Sequence, residues 1–280
     1  MDSHQKTVVL IEALPYIKKF KNKIVVVKFG GNAMSEIEHV IQDIVLLHHI
    51  GINPVVVHGG GPEIDAELKK ENIKPKFVNG LRYTDEKVMR IVENVFKKIN
   101  SQIVAKIKSH GAKSINAKNC IFAKQKDPKL GLVGNITNVD AHKLLEFADL
   151  GYVPIISSIG IGKNGQKFNI NADTAASFVA VALKAEKLTI LTNVNGVAID
   201  NKVLSHIDIS HARKEIKKGA INKGMIPKVE ACIHAVQNQC HKAHLINGLI
   251  PHSLLLEIFT DKGIGTEIVF KNGYAKSYRS

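Results

Sequence analysis

The chain is predicted to be an α/β protein, a three-layer αβα sandwich around a mainly parallel central sheet, with a protruding β-hairpin and an extra N-terminal helix. Three observations predict this. Short apolar runs recur along the 280 residues: IVVVK at 24–28, PVVVH at 54–58, VPIIS at 153–157, LTILT at 188–192 and AHLIN at 243–247. They are rich in Val and Ile and lack period-two alternation, as expected of strands covered on both faces. Amphipathic segments of helical period lie between them at 37–49, 85–109, 172–184 and 228–239, and strand–helix alternation of this kind builds parallel sheets with helices on both sides. Third, no linker is long enough to separate independent domains, so two lobes are expected to share one continuous sheet.

In chain order, the first element is the stretch VVLIEALPYIKKFKNK. Val8, Leu10, Ile11, Leu14, Ile17 and Phe20 fall at helical spacing, with Pro15 expected to kink the helix. Such an element outside the sheet either caps the core or packs on another subunit. Strand 24–28 then ends in Lys28 and leads into Gly30 and Gly31. A lysine there emerges at the carboxyl edge of the sheet, where α/β ligands bind. The glycines let backbone N–H groups face the same space, a site for an anion. Strand 54–58 repeats the arrangement with Gly59, Gly60 and Gly61, and Pro62 suits the first turn of the next helix. The plain alternative for either loop is an ordinary strand–helix turn.

GLRYTD follows, with Arg82 placed to hold a carboxylate and Thr84 expected to cap the helix at 85–109. Residues 117–139 read as hairpin material outside the main sheet, and SIGIGKNGQKFNI as another turn-rich excursion. In FNINADTAASFVAVAL, the amides of Asn169 and Asn171 share one face of an extended segment. Asp173 then opens a helix, where it either caps the helix, as Asn171 also could, or holds two lysines in place. Finally, GAINKGMIPKVEACIHAV puts Lys228 near a helix start, against the dipole, which suggests that its charge serves an anion.

Composition narrows the function. The net charge is +14, but 35 of the 39 cationic residues are lysines scattered in ones and twos, and aromatics are 5%. Nucleic-acid readers lean on arginine and stacking aromatics, so an anionic small substrate is the better expectation. No apolar stretch reaches the ~20 residues of a membrane span, and the N-terminus resembles neither a secretory signal nor an Arg-rich transit peptide. Cys120, Cys232 and Cys240 have no metal-like spacing, and Cys232 and Cys240 are expected two turns apart on one helix as buried thiols. The histidines include no HExxH, so no protein metal cage is expected. Walker A and GxGxxG patterns are absent, as are Ser–His–Asp and Cys–His arrangements at useful spacing. Two lysines, two glycine loops, an arginine and an organising aspartate suit phosphoryl transfer, which needs positioning and positive charge more than covalent help.

Together, VVVKFGGNAM, VVVHGGGPEID, NGLRYTD, NINADTAA, LTNVNGV, GMIPKVEACIHAV and PHSLLLEIFTDKGIGT closely resemble the N-acetyl-L-glutamate kinases of the amino-acid kinase superfamily, in order from about residue 8 to 269. The resemblance implies the amino-acid kinase fold and transfer of the ATP γ-phosphoryl group to the γ-carboxylate of N-acetyl-L-glutamate, the second step of arginine biosynthesis. It implies that Lys28 and Lys228 neutralise the phosphoryl group, that Asp173 orients them, and that Gly31, Gly60 and Gly61 donate N–H groups to it and to the acyl phosphate. Arg82 and Asn169, with Asn171 beside them, would hold the substrate. Nucleotide contacts would come from Asn193, Val194, Asn195, Gly196, Val197 and Ala198 and from Ala220, Ile221 and Asn222, with Mg2+ arriving on the phosphates of ATP.

The N-terminal LIEALPYIKKF resembles the extra helix of arginine-inhibited members, where it interlaces dimers into a hexamer. Arginine inhibition is therefore expected, with Tyr16, His252, Glu257 and Gly265 near the effector. The implied division is an N-terminal helix at 1–22 and a kinase domain at 23–280, its N-lobe (23–185) for the acceptor and its C-lobe (186–280) for ATP. The location is cytoplasmic, or the plastid stroma if organelle-encoded; members in oxygenic phototrophs also bind the PII signalling protein. Two departures stand out: Asn193 replaces the family's usual Asp, and SINAKNC at 114–120 replaces a loop with glycines and an aspartate. Another small-molecule kinase of the superfamily, or a catalytically silent arginine sensor, stays open at this point.

Overall fold

The structure, a computed structural model, describes residues 2–31, 37–260 and 263–270. Asn32, Ala33 and Met34 of the first glycine motif, and Asp261 and Lys262 of the last motif, lie outside them.

The five apolar runs form the centre of an eight-stranded sheet. From edge to edge its order is His206–Asp208, Thr266–Val269, Lys242–Asn247, Lys187–Thr192, Ile24–Phe29, Asn53–His58, Val153–Ser157 and Ser114–Asn116. All neighbours pair in parallel except Lys242–Asn247 with Thr266–Val269, which is antiparallel. Alternate strand residues feed two cores. Val26, Val55, Val57, Leu188 and Ile190 pack with the helices Ala141–Asp149, Ala172–Ala182, Ile209–Lys218 and Met225–Gln237 on one face. Val25, Val27, Phe29, Val56 and Leu191 pack with Ile37–His49, Gly61–Lys70, Glu86–Ser109 and Ser253–Ile258 on the other. Burial on both faces explains why these strands read as unbroken apolar runs.

From Ile24–Phe29 the chain builds outward through Asn53–His58 to one side, then returns through Lys187–Thr192 to the other. The strand order reverses beside the first strand, and the crevice at the carboxyl ends there is where open α/β sheets bind ligands. Lys28, the two glycine loops and Thr192 all fall at that point.

Several expectations need correction. The two turn-rich excursions are not separate: Ile121–Gln125, Gly134–Val139, Ile159–Ile161 and Lys167–Asn169 join into one four-stranded sheet. Its components are 20 or more residues apart in places, so local turn signals could not show their pairing. SINAKNC is a loop only in its second half, because Ser114–Asn116 is the edge strand of the main sheet, in register with Val153–Ile155. Cys240 lies past the end of its helix, which stops at Gln237, although all three cysteines are buried and free.

The N-terminal helix runs from Ser3 to Phe20 and includes Pro15. Proline removes the bond to the carbonyl four residues back, that of Ile11, a residue 65% exposed. Phe20 anchors the helix in the core, while Val8, Leu10, Ile11 and Leu14 are exposed. Among the described residues no helix is long and apolar enough to cross a membrane.

Candidate active site

A cavity of about 360 Å³ opens at the carboxyl ends of the central strands. Its lining includes Lys28, Gly31, Gly60, Gly61, Arg82, Asn169, Asn171, Asp173, Asn193 and Lys228, so one space gathers residues spread over 200 positions of sequence.

At its floor, Asp173 lies between two lysines. Lys28 Nζ stands 2.8 Å from Oδ1, and Lys228 Nζ donates to Oδ2 at 2.8 Å. The local sequence explains the placement. Lys28 is carried by a buried strand and is itself only 6% exposed. Asp173 is in the first turn of Ala172–Ala182, where a carboxylate suits the helix dipole. Asn171 caps that helix, accepting from the Thr174 N–H at 3.0 Å, so the capping alternative holds for Asn171 but not for Asp173. Lys228 sits in the first turn of Met225–Gln237 and is turned toward the carboxylate. Burial alone would raise the Asp173 pKa, but the two lysine charges outweigh it and hold the group at about 2. Burial, with the charge of Lys228, lowers Lys28 against the opposing pull of Asp173.

The glycine loops touch. Gly30 has φ +150°, and a Cβ there would lie 2.9 Å from Gly59 N, so neither the conformation nor the space admits a side chain. A Cβ on Gly60 would meet Ile99 Cδ1 at 2.6 Å. The Gly59 N–H is engaged by Phe29 O at 3.1 Å. Gly60, the N-cap, and Gly61 head the helix Gly61–Lys70, whose first N–H groups have no acceptor within the helix. Together with the lysines, these groups form a concentrated donor set for an anion.

Toward the mouth, Arg82 Nη1 pairs with Asp65 Oδ1 at 2.6 Å, and the guanidinium lies over Phe77 at 4.8 Å. Asp65 and Phe77 were not foreseen; they hold the arginine flat against the cavity wall. Thr84 is not the helix cap. Asp85 takes that role, accepting from Val88 N–H, because Thr84 is fully buried and its hydroxyl donates to Arg82 O at 2.9 Å. The same hydroxyl accepts from Asn169 Nδ2 at 3.1 Å, which ties Asn169 to the arginine segment. Phe96, Leu81, Val133 and Ser158 also line the cavity and gave no signal in sequence.

Of the residues expected to contact nucleotide, Asn193 lines the cavity, while Val194, Asn195, Gly196, Val197, Ala198, Ala220, Ile221 and Asn222 lie beyond its lining. Gly196 has φ +139°, and Val197 N–H donates to Thr266 Oγ1 at 2.8 Å, which pins that loop to the sheet. Among the described residues no group of three or more His, Cys, Asp and Glu is placed to hold a metal ion. Asp173 is the carboxylate of the lining, and its oxygens are taken by lysines, so a cation suits this cavity as a passenger on phosphate groups.

A mainly parallel sheet carrying two lysines, a shared aspartate and paired glycine loops at its switch point defines a phosphotransferase of small molecules. Residues 23–247 match the model of the amino acid kinase family, and the chain belongs to that family. Within it, the chain is 50% identical to an acetylglutamate kinase of Caldanaerobacter subterraneus subsp. tengcongensis, across 95% of this chain and 94% of that one. An acetylglutamate kinase of Desulforamulus reducens is 45% identical across 95% and 98%. In structure, the chain is similar to an N-acetylglutamate synthase of Neisseria gonorrhoeae complexed with coenzyme A and N-acetyl-glutamate, with TM-score 0.87 and 25% identity; it spans 94% of this chain and 63% of the synthase. A Giardia lamblia carbamate kinase bound to AMP-PNP shares the fold, with TM-score 0.70 at 20% identity over 89% and 99%.

Proposed function

We propose that this chain transfers the γ-phosphoryl group of ATP to the γ-carboxylate of N-acetyl-L-glutamate, giving N-acetyl-L-glutamyl 5-phosphate and ADP in arginine biosynthesis. The observation that carries the reading is the Lys28–Asp173–Lys228 cluster at the floor of a cavity lined by both glycine loops. An oxygen of the ionised γ-carboxylate attacks the γ-phosphorus in line as the bond to the β-phosphate oxygen breaks. No proton needs removing, so no general base is required. Asp173, held at about 2 and paired with both lysines, positions them rather than accepting a proton. Lys28 and Lys228 stabilise the charge on the transferred group, and Gly31, Gly60 and Gly61 offer it N–H groups. Arg82 and Asn169 hold the α-carboxylate beside Asn171. Residues 193–198 and 220–222 of the C-lobe take the nucleotide, whose phosphates carry Mg2+.

Arginine acts as feedback inhibitor at the opposite side of the sheet. Tyr16 of the N-terminal helix meets Phe259 edge-on at 6.5 Å, and Glu257 is two residues away. His252 pairs with Asp43 at 2.6 Å, and Gly265 takes φ +81° against Leu245 O. Glu257 already receives Lys187, His244 and the Ile264 N–H, so an effector guanidinium has to compete for a carboxylate in use. The exposed apolar residues of the N-terminal helix support a homo-oligomer in which they are covered.

The test is acyl-phosphate formation by the purified chain, trapped as hydroxamate, with N-acetylglutamate or glutamate and with or without arginine. Preference for N-acetylglutamate with suppression by arginine is the expected result. Equal use of glutamate points to another kinase of the family, and no hydroxamate from folded protein rejects the kinase reading.

A further inference from the structure

His58 closes the strand Asn53–His58 and is fully buried, edge-on to Phe96 at 5.6 Å. It is not among the cavity's lining residues, whereas the three glycines that follow it are. Its Nδ1 is 3.1 Å from Gly59 O, and its Nε2 is 3.3 Å from Asn100 Nδ2. Asn100 Nδ2 also donates to Ile155 O at 3.1 Å.

These contacts have only one consistent arrangement of protons. A carbonyl oxygen can only accept, so Ile155 holds the Asn100 amide with its nitrogen toward the strand. That nitrogen donates to Nε2 as well, which must therefore be bare. The ring proton is on Nδ1 and is donated to Gly59 O. Burial lowers the ring's pKa to about 4, so this single neutral form persists at physiological pH. A planar trans peptide points its C=O and N–H in opposite directions, and the described residues contain no cis peptide. With Gly59 C=O held toward the ring, the Gly60 N–H of the same peptide faces away from it, and Gly60 itself lines the cavity.

We propose that His58 is a positioning residue: through the tautomer imposed by Asn100 and Ile155, it sets the Gly59–Gly60 peptide so that the Gly60 N–H meets the transferred phosphoryl group. The role of Gly60 rests on the function proposed above, whereas the orientation of the peptide does not. Asparagine at position 58 can place an amide nitrogen near the position of Nδ1; leucine keeps bulk without a donor.

The experiment combines nitrogen-15 NMR of the imidazoles with steady-state kinetics of the hydroxamate reaction. The wild type is expected to show His58 with a pyrrole-type Nδ1 and a pyridine-type Nε2. His58→Leu is expected to lose on the order of 10²-fold in kcat, with KM for N-acetylglutamate within about threefold, as for loss of one oriented donor. His58→Asn should recover kcat to within about fivefold of wild type. A proton on Nε2, a folded His58→Leu with kcat within about threefold of wild type, or an Asn variant as slow as Leu overturns the proposal. If His58→Leu does not fold, the tautomer and the Asn variant decide. If the wild type makes no acyl phosphate, the function is rejected, and the tautomer still decides the loop's orientation.

Discussion

Two buried carboxylates each sit between two basic side chains, at opposite ends and on opposite faces of one sheet. Asp173 lies between Lys28 and Lys228, and Glu257 between Lys187 and His244. Lys28 is in register with Ile190, and Val25 with Lys187, so the lysines stand three residues apart along neighbouring strands. That is roughly 10 Å, with odd parity turning them to opposite faces. Burial would raise both carboxylates, yet their partners hold each at about 2. The difference is where the cations face. Lys28 and Lys228 both line the cavity, beside the glycine loops. Glu257 takes a third donor from the Ile264 backbone, and the ammonium of Lys187 lies 5.9 Å from the ring of buried Phe20. A depressed pKa and a buried ion pair therefore do not mark chemistry on their own; cations shared with an open cavity do.

The largest effect should come from breaking each cluster at its carboxylate. Asp173→Asn leaves two lysines facing each other and should cut turnover by on the order of 10³-fold, as positioned charge at the reacting group is lost. Glu257→Gln should leave turnover within about threefold and cost about 3 kcal/mol in urea unfolding, the signature of a buried charge left unpaired. Arginine should no longer inhibit that variant.

Next comes the loop contact that only the cavity end possesses. Gly30→Ala forces a Cβ onto Gly59 N at a φ that alanine avoids. It should lower kcat by on the order of 10²-fold through a displaced glycine loop. Gly61→Ala meets nothing within 4 Å and should fold normally. Arg82→Lys gives up the planar fork and should raise KM for N-acetylglutamate about tenfold with a smaller change in kcat.

The smallest effect is the response to acid. The folded pKa of His58 is about 4 against an ordinary 6.5, and burial lowers His244 as well. The unfolded chain takes these protons first, so stability declines as pH falls from about 6.5 to about 4. The carboxylates act lower: their contribution is complete above the ordinary carboxylate range and disappears as pH falls through about 2. Melting temperature followed from neutral pH downward should fall in two stages, and a flat profile down to about pH 4 contradicts a neutral buried His58.

The five central strands were legible because burial on both faces leaves an unbroken apolar run. The strands Ser114–Asn116 and His206–Asp208 at the two edges, and Thr266–Val269 beside one of them, were not, since three or four residues near a sheet margin carry little pattern and their pairing is decided by distant partners. Lysines, glycines and the aspartate of the site were readable because each sits at a strand end or helix start that is locally signalled. Asp65, Phe77 and Thr84 were not, because their roles arise from contacts with Arg82. The His58–Asn100 contact bridges 42 positions and joins the end of a buried strand to the interior of a helix, where a polar residue is read only as an exception to the apolar pattern.

The most direct test pairs Lys28→Met with Lys187→Met, each measured for hydroxamate turnover and melting temperature. Lys28→Met should turn over at no more than about 1% of wild type while melting close to it, because Asp173 keeps Lys228. Lys187→Met should turn over within about threefold of wild type yet lose about 3 kcal/mol of stability, because Glu257 is then left with no ammonium, only His244, whose pKa burial lowers, and a backbone N–H. Equal losses of turnover in the two variants, or a Lys28→Met enzyme that still turns over, would contradict the assignment of chemistry to the cavity end of the sheet.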